Sequence, residues 1–224
     1  MSNKHIIAAS LFGLFSAASQ AQDLNITITN LTQGIAFTPI VAAAHDSSGY
    51  IFHSTEAATE QLEALAEGGD ISGVVDLLSG YSADILQNPA EGLLRAGMSS
   101  DAVSLNTSDT NTYLSVAAMM LPTNDGFIGL DSWEIPTEAG TYTVYLNAYD
   151  AGTEANDEII SNIPNPIEVA NTGATGVATE VSNATVHIHP GVIGDNDATG
   201  GISDFDSSKH RWLNPVAKLT IVVE

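Results

Sequence analysis

The sequence predicts an all-β fold, a β-sandwich with one or two short helices. Three observations carry this. Apolar and polar residues alternate with period two in 24–30, 140–149 and 183–189, the mark of half-buried strands. One stretch, within 54–67, has a convincing helical period. Clusters of Gly, Pro, Asn, Asp and Ser separate the apolar segments, as in sandwiches of short strands.

In chain order, "LNITITN" (24–30) sets Leu24, Ile26 and Ile28 against Asn25, Thr27 and Thr29. "AFTPIVAAAH" (36–45) is a second apolar stretch, interrupted by Pro39, which suits an edge or a bulge. In "STEAATEQLEALAEGG" (54–69), Ala58, Leu62, Leu65 and Ala66 share one helical face and Gly68-Gly69 stop it. "ISGVVDLLSG" (71–80) reads as a further short helical turn, and 81–111, rich in Ser, Asn, Asp and Gly, as mostly loop. Strands return in "TYLSVAAMMLP" (112–122), "GFIGLDSWEIP" (126–136), "GTYTVYLNAYD" (140–150), "NATVHIHP" (183–190) and "PVAKLTIVVE" (215–224). The stretch 165–183 is a long polar connection within one domain, not a linker between two.

The first residues read as a secretory signal peptide: Lys4, an apolar core from Ile6 to Phe15, and small residues at Ser19 and Ala21, with cleavage after Ala21. The apolar run is too short to span a bilayer. Export is therefore expected, to periplasm, cell surface or medium, with one domain over 22–224. The 224-residue chain carries a formal charge of −22; without Lys4, four basic residues face 27 acidic ones, a net −23. Such a charge argues against nucleic acid and anionic membranes as partners and favours cations or a salty exterior. Export would permit disulfides, but the chain has no Cys.

Chemistry concentrates in "YDAGTEANDE" (149–158), a turn that follows a strand and carries Asp150, Glu154, Asp157 and Glu158. "LPTNDGF" (121–127) is a second acidic turn at a strand end, with Asp125. Neighbouring strands would bring Asp125 beside Asp150 and Glu154. Calcium takes six to eight oxygens on loops that bend, and Gly126 and Gly152 supply bending. The same acids read equally well as solvated acidic turns.

"LPTNDGF" followed by "NAYDAGTE" resembles the spondin N-terminal domain family, of F-spondin and mindin type, in which a "PSPDW"-like turn precedes a "YPYDAGTD"-like turn. "NLTQGIAFTPIVAAAHD", "EALAEGGD" and "NPVAKLTIVV" resemble further segments of that family, so the likeness covers nearly all of 22–224, most closely to bacterial members. The resemblance implies a calcium-binding, C2-like β-sandwich. It implies metal ligands at Asp125, Asp150 and Glu154, the last replacing the Asp of animal members, and Asp157 and Glu158 turned to solvent. It implies a surface or secreted adhesion or ligand-binding module whose ligand is an extracellular protein or glycan. The animal cysteines and integrin-binding roles do not transfer.

Two other constellations hold metal-ligand types. In "DNDATGGISDFD" (195–206), Asp195, Asp197, Thr199, Gly200, Ile202 and Asp206 match an EF-hand loop's positions, without an entering helix. It reads as a second calcium site or as a solvated acidic loop. His187 and His189 would share one strand face, where imidazoles bind zinc or copper or simply meet solvent. His45 reads as structural. No GxSxG, HExxH, P-loop or Cys nucleophile is present, so an enzyme is not expected. An exported hydrolase with structural calcium, or a carbohydrate-binding module using Trp133, Trp212, Tyr142, Tyr145 or Tyr149, stands as the alternative.

Overall fold

The structure, a computed structural model, describes residues 21–163, 181, 183–197 and 200–224. All but the last residue of the expected signal peptide, and most of the polar connection 165–183, lie outside the described residues. The elements are β1 (Asp23–Asn30), β2 (Ala36–Phe37), β3 (Val41–His45), α1 (Glu60–Gly68), α2 (Ser72–Gly80), β4 (Asp84–Gln87), β5 (Val103–Asn106), β6 (Tyr113–Leu121), β7 (Gly126–Glu134), β8 (Gly140–Asp150), a 3-10 turn (Ile160–Asn162), β9 (His187–Ile188) and β10 (Ala217–Val223).

The described strands follow one hydrogen-bonded path, β4-β3-β6-β7-β8-β10-β1-β5, with β2 added to β6 and β9 to β8, and all pairings are antiparallel. The long strand β8 turns the corner of this path. Its residues Gly140–Leu146 pair with β10, and Asn147–Asp150 pair with β7. The two end strands approach each other. Just beyond β5, Ser108 donates its N–H (2.6 Å) and hydroxyl (3.0 Å) to Asp84 of β4, and Asn111 Nδ2 donates to the same carboxylate at 2.8 Å. The result is a mostly-β, nearly closed sheet with two short helices.

Alternation in β1 and β10 puts Leu24, Ile26, Ile28, Leu219 and Ile221 inside the curl, with Phe37, Leu114, Val116 and Ile128. β3 and β6 are buried on both faces because α1 and α2 cover the outside. Val41, Ala43 and Ala117 pack there against Leu62, Leu65, Ala66, Val74 and Leu78. That is why "VAAAH" and "VAAMML" read as apolar runs.

Three local expectations change. The helix expected within 54–67 starts at Glu60, because Thr59 is its cap: its hydroxyl accepts the Leu62 N–H at 3.2 Å. The segment 71–80 is a nine-residue helix, α2, equal in length to α1. The stretch 81–111 holds two strands, β4 and β5. Both are short edge strands in polar sequence, which tertiary pairing supports where local propensity does not.

Candidate metal centre

The β6–β7 turn is tied by its own side chains. Thr123 Oγ1 donates to Met120 O (2.6 Å) and accepts the Gly126 N–H (3.0 Å). A Cβ at Gly126 would meet that hydroxyl at 2.7 Å, so only glycine closes the turn this tightly. Asp125 is left fully buried at 0 % exposure. Its Oδ2 accepts the Thr153 N–H (2.9 Å), the Glu154 N–H (3.1 Å) and the Thr153 hydroxyl (3.3 Å). Its Oδ1 is buried with no hydrogen-bond partner among the described residues.

The second turn leaves β8 opposite the first, since Gly126 pairs with Asp150 in the ladder. Asp150 Oδ1 accepts the Gly152 N–H at 2.8 Å, and Oδ2 accepts Asn156 Nδ2 at 2.6 Å. Gly152 has φ +73°, and a Cβ there would meet Asn183 O and Thr185 N at 2.7 Å. The turn is thereby pressed under the segment entering β9. Glu154 is also buried and, with Asp150, Asn156, Asn183 and His187, lines an open cavity of about 230 Å³.

His187 pairs with Asp150 across β8–β9. Its Nδ1 lies 2.7 Å from Thr185 O and its Nε2 3.7 Å from Asp150 Oδ2. Burial first, and the Asp150 charge second, push the Asp125 carboxyl above the usual carboxylate range. Glu67 of α1 is half-buried near this corner: burial first, and then the charges of Glu63 and Asp125, raise its carboxyl, while the Thr153 side chain lowers it.

The sequence-predicted residues therefore meet in part. Asp125 and Asp150 stand together, and the Glu154 N–H serves Asp125. Among the described residues no three His, Asp or Glu side chains yet converge tightly enough to hold a metal. The donor type fits a hard cation such as calcium all the same: Asp125 Oδ1 is a buried carboxylate oxygen that no described residue satisfies.

Glu158 is not at the surface, as expected, but buried. It accepts the Ile193 and Gly194 N–H groups and the Ser203 hydroxyl, which holds these three residues together. Asp157 is half-buried and accepts from Asn124, Asn162 and the Ile159 N–H. His187 and His189 do not form a pair on a solvent face, because β9 ends at Ile188. His189 is buried instead, its ring edge-on to Trp212 at 5.0 Å, and burial pushes its pKa down to about 4. In 195–206, Asp195 turns its carboxylate onto the N–H groups of Asp197, Ile202 and Ser203. Ala198 and Thr199 of that loop lie outside the described residues. Glu67 was invisible to sequence reasoning except as an acid in a helix's last turn, where acids are disfavoured.

A model of the Spondin_N family matches residues 27–175, about two thirds of the chain and both acidic turns. The chain belongs to the Spondin_N family. No curated protein matches it. In this spondin domain Asp125, Asp150, Glu154 and Glu67 lie within the matched span, whereas His187, His189 and the loop 195–206 lie beyond it. No described helix is long and apolar enough to cross a membrane.

Proposed function

We propose that this spondin domain is an exported calcium-binding module that recognises an extracellular protein or glycan and catalyses no reaction. One observation carries the reading: Asp125 is fully buried beside Asp150 with a carboxylate oxygen that has no partner among the described residues. Such a group is costly unless something positive or a donor reaches it. Asp125, Asp150 and Glu154 would hold the ion. Bound calcium would supply the positive charge that offsets their repulsion. The chain's part is to bring the turns together: Thr123 and Gly126 tighten one, Gly152 lets the other pass under Asn183, and the Thr153 and Glu154 N–H groups orient Asp125.

The family assignment supports a module over an enzyme. The Ser–His contact at His45 Nε2–Ser115 Oγ (2.8 Å) is sealed, with both residues at 0 % exposure, so no substrate reaches it.

Melting curves in EDTA, calcium and magnesium test the proposal. Calcium at a hundredfold its dissociation constant should stabilise the fold by about 2.7 kcal/mol. For a chain of this size that raises Tm by roughly 5–10 °C. Magnesium should do much less, because it dehydrates reluctantly and demands an octahedron. Asp125→Asn and Asp150→Asn should each abolish most of the calcium shift. Equal melting temperatures in EDTA and calcium would refute it.

A further inference from the structure

The alternation that buries Leu24, Ile26, Ile28, Leu219 and Ile221 turns the intervening residues of β1 and β10 outward, and β8 follows the same rule from Thr141 to Tyr145. The ladders align these outward residues in rows across β8, β10 and β1. Thr143, Thr220 and Thr27 form the middle row. Tyr145, Lys218 and Thr29 lie on one side of it, and Thr141, Val222 and Asn25 on the other. Hydroxyls continue the rows toward β5: Ser99 Oγ lies 2.9 Å from Thr29 Oγ1, and Ser104 Oγ donates to Asn25 Oδ1 at 2.9 Å.

The three rows hold no carboxylate and a single charge, Lys218, in a chain with 27 acids. The outer surfaces of α1 and α2, by contrast, expose Glu60, Glu63 and Asp76. Acids return only at one end of the face, with Asp23 and with Glu224, which accepts from Asn25 Nδ2 at 2.7 Å. Tyr145, 58 % exposed, stands at the other end. A partner covering these rows strips water from few charges, and charges are the costliest groups to bury. A net charge of −22 repels anionic polymers and a second copy of the chain alike. Threonine and serine are poor anchors for a protein partner. Their hydroxyls both donate and accept, as those of a sugar do, and the tyrosine ring adds a flat apolar surface with a polar tip. Strand and residue spacings make the face roughly 10 by 14 Å, room for a short run of sugar rings.

We propose that the outer face of β8, β10 and β1 binds a neutral polysaccharide, one sugar stacking on Tyr145 while others exchange hydrogen bonds with Thr143, Thr220 and Thr27. This rests on the reading of the chain as a ligand-binding module and not on its calcium.

The test measures binding to insoluble cellulose, chitin and starch and to an array of neutral and uronate-bearing oligosaccharides. It compares the wild type, Tyr145→Ala, Thr220→Glu and, as a control on the exposed side of α2, Ser79→Glu, with melting curves and sedimentation of each. The wild type should bind at least one neutral glycan. Tyr145→Ala should weaken that binding about tenfold. Thr220→Glu, which sets a carboxylate in the middle row, should abolish it, and Ser79→Glu should bind as the wild type does. All four proteins should show the same calcium shift in melting temperature. A wild type that binds no neutral glycan would overturn the proposal, and a calcium shift in the same protein would leave the metal site standing. Binding confined to uronate-bearing glycans would also overturn it, as would binding that neither Tyr145→Ala nor Thr220→Glu weakens. A wild-type dimer that Thr220→Glu dissociates would overturn it too, by assigning the face to contact between copies. Neutral-glycan binding lost in Thr220→Glu, with equal melting temperatures in EDTA and calcium, would uphold this proposal and remove the calcium reading.

Discussion

At the scale of single residues, burial decides what the acids and histidines of this corner do. Glu158 and Glu154 lie four positions apart, yet Glu158 serves as a backbone bracket for Ile193 and Gly194. His189 shows the same rule with opposite sign. Its Nδ1 accepts the Gly191 N–H at 3.0 Å, and its ring is enclosed by Trp212 and the β6–β7 turn. Burial disfavours the imidazolium and outweighs Asp125 and Glu158, which favour it, while His187 adds to the lowering. The folded pKa of about 4 lies below the ordinary 6.5. The neutral ring's contribution is therefore complete above pH 6.5 and is lost as pH falls toward 4. Between pH 7 and 5 the loss should be on the order of 2 kcal/mol. Urea unfolding in EDTA at both pH values should show this drop in the wild type and a smaller one in His189→Gln. Equal drops would contradict the assignment.

At the scale of elements, α1 is held by its ends and one face. Thr59 caps its N-terminus, Glu60 and Glu63 suit the dipole there, and the Gly69 N–H closes onto Ala64 and Leu65 carbonyls. Leu62, Leu65 and Ala66 bury its inner face. Thr59→Ala should lower stability by about 1 kcal/mol, or roughly 2–4 °C in Tm, through the loss of one N-terminal hydrogen bond. The corner in β8 has an analogous role. By leaving β10 after Leu146 and joining β7 from Asn147, it delivers Asp150 to the turn that carries Asp125.

At the scale of the molecule, a net charge of −22 acts against a nearly closed, compact sheet. Screening should relieve it. Raising sodium chloride from about 10 mM to 300 mM shortens the Debye length from ~30 Å to under 10 Å. In EDTA the melting temperature should therefore rise with salt, and the calcium increment should shrink as sodium screens the same carboxylates. A flat or falling salt dependence would show that the acids are too dispersed to repel.

The sequence by itself determined the strands that carry their own period. β1, β8 and β10 alternate, β6 is long and apolar and β7 is mixed, and all five stand where the sequence reading puts strands. It also determined the family through two turn motifs, and with it the pairing of Asp125 and Asp150. Side-chain period and turn chemistry are local properties, readable without neighbours. Only the tertiary structure decided the rest. β4 and β5 exist because β3 and β1 offer them ladders, not because "DILQ" or "VSLN" demand extension. Glu158 is buried because Ile193, Gly194 and Ser203 are brought onto it, and Glu67 feels the charge of Asp125 because α1 packs against β6 and β7. The charge state and solvation of a side chain depend on atoms brought from distant points of the chain, and no local pattern records them.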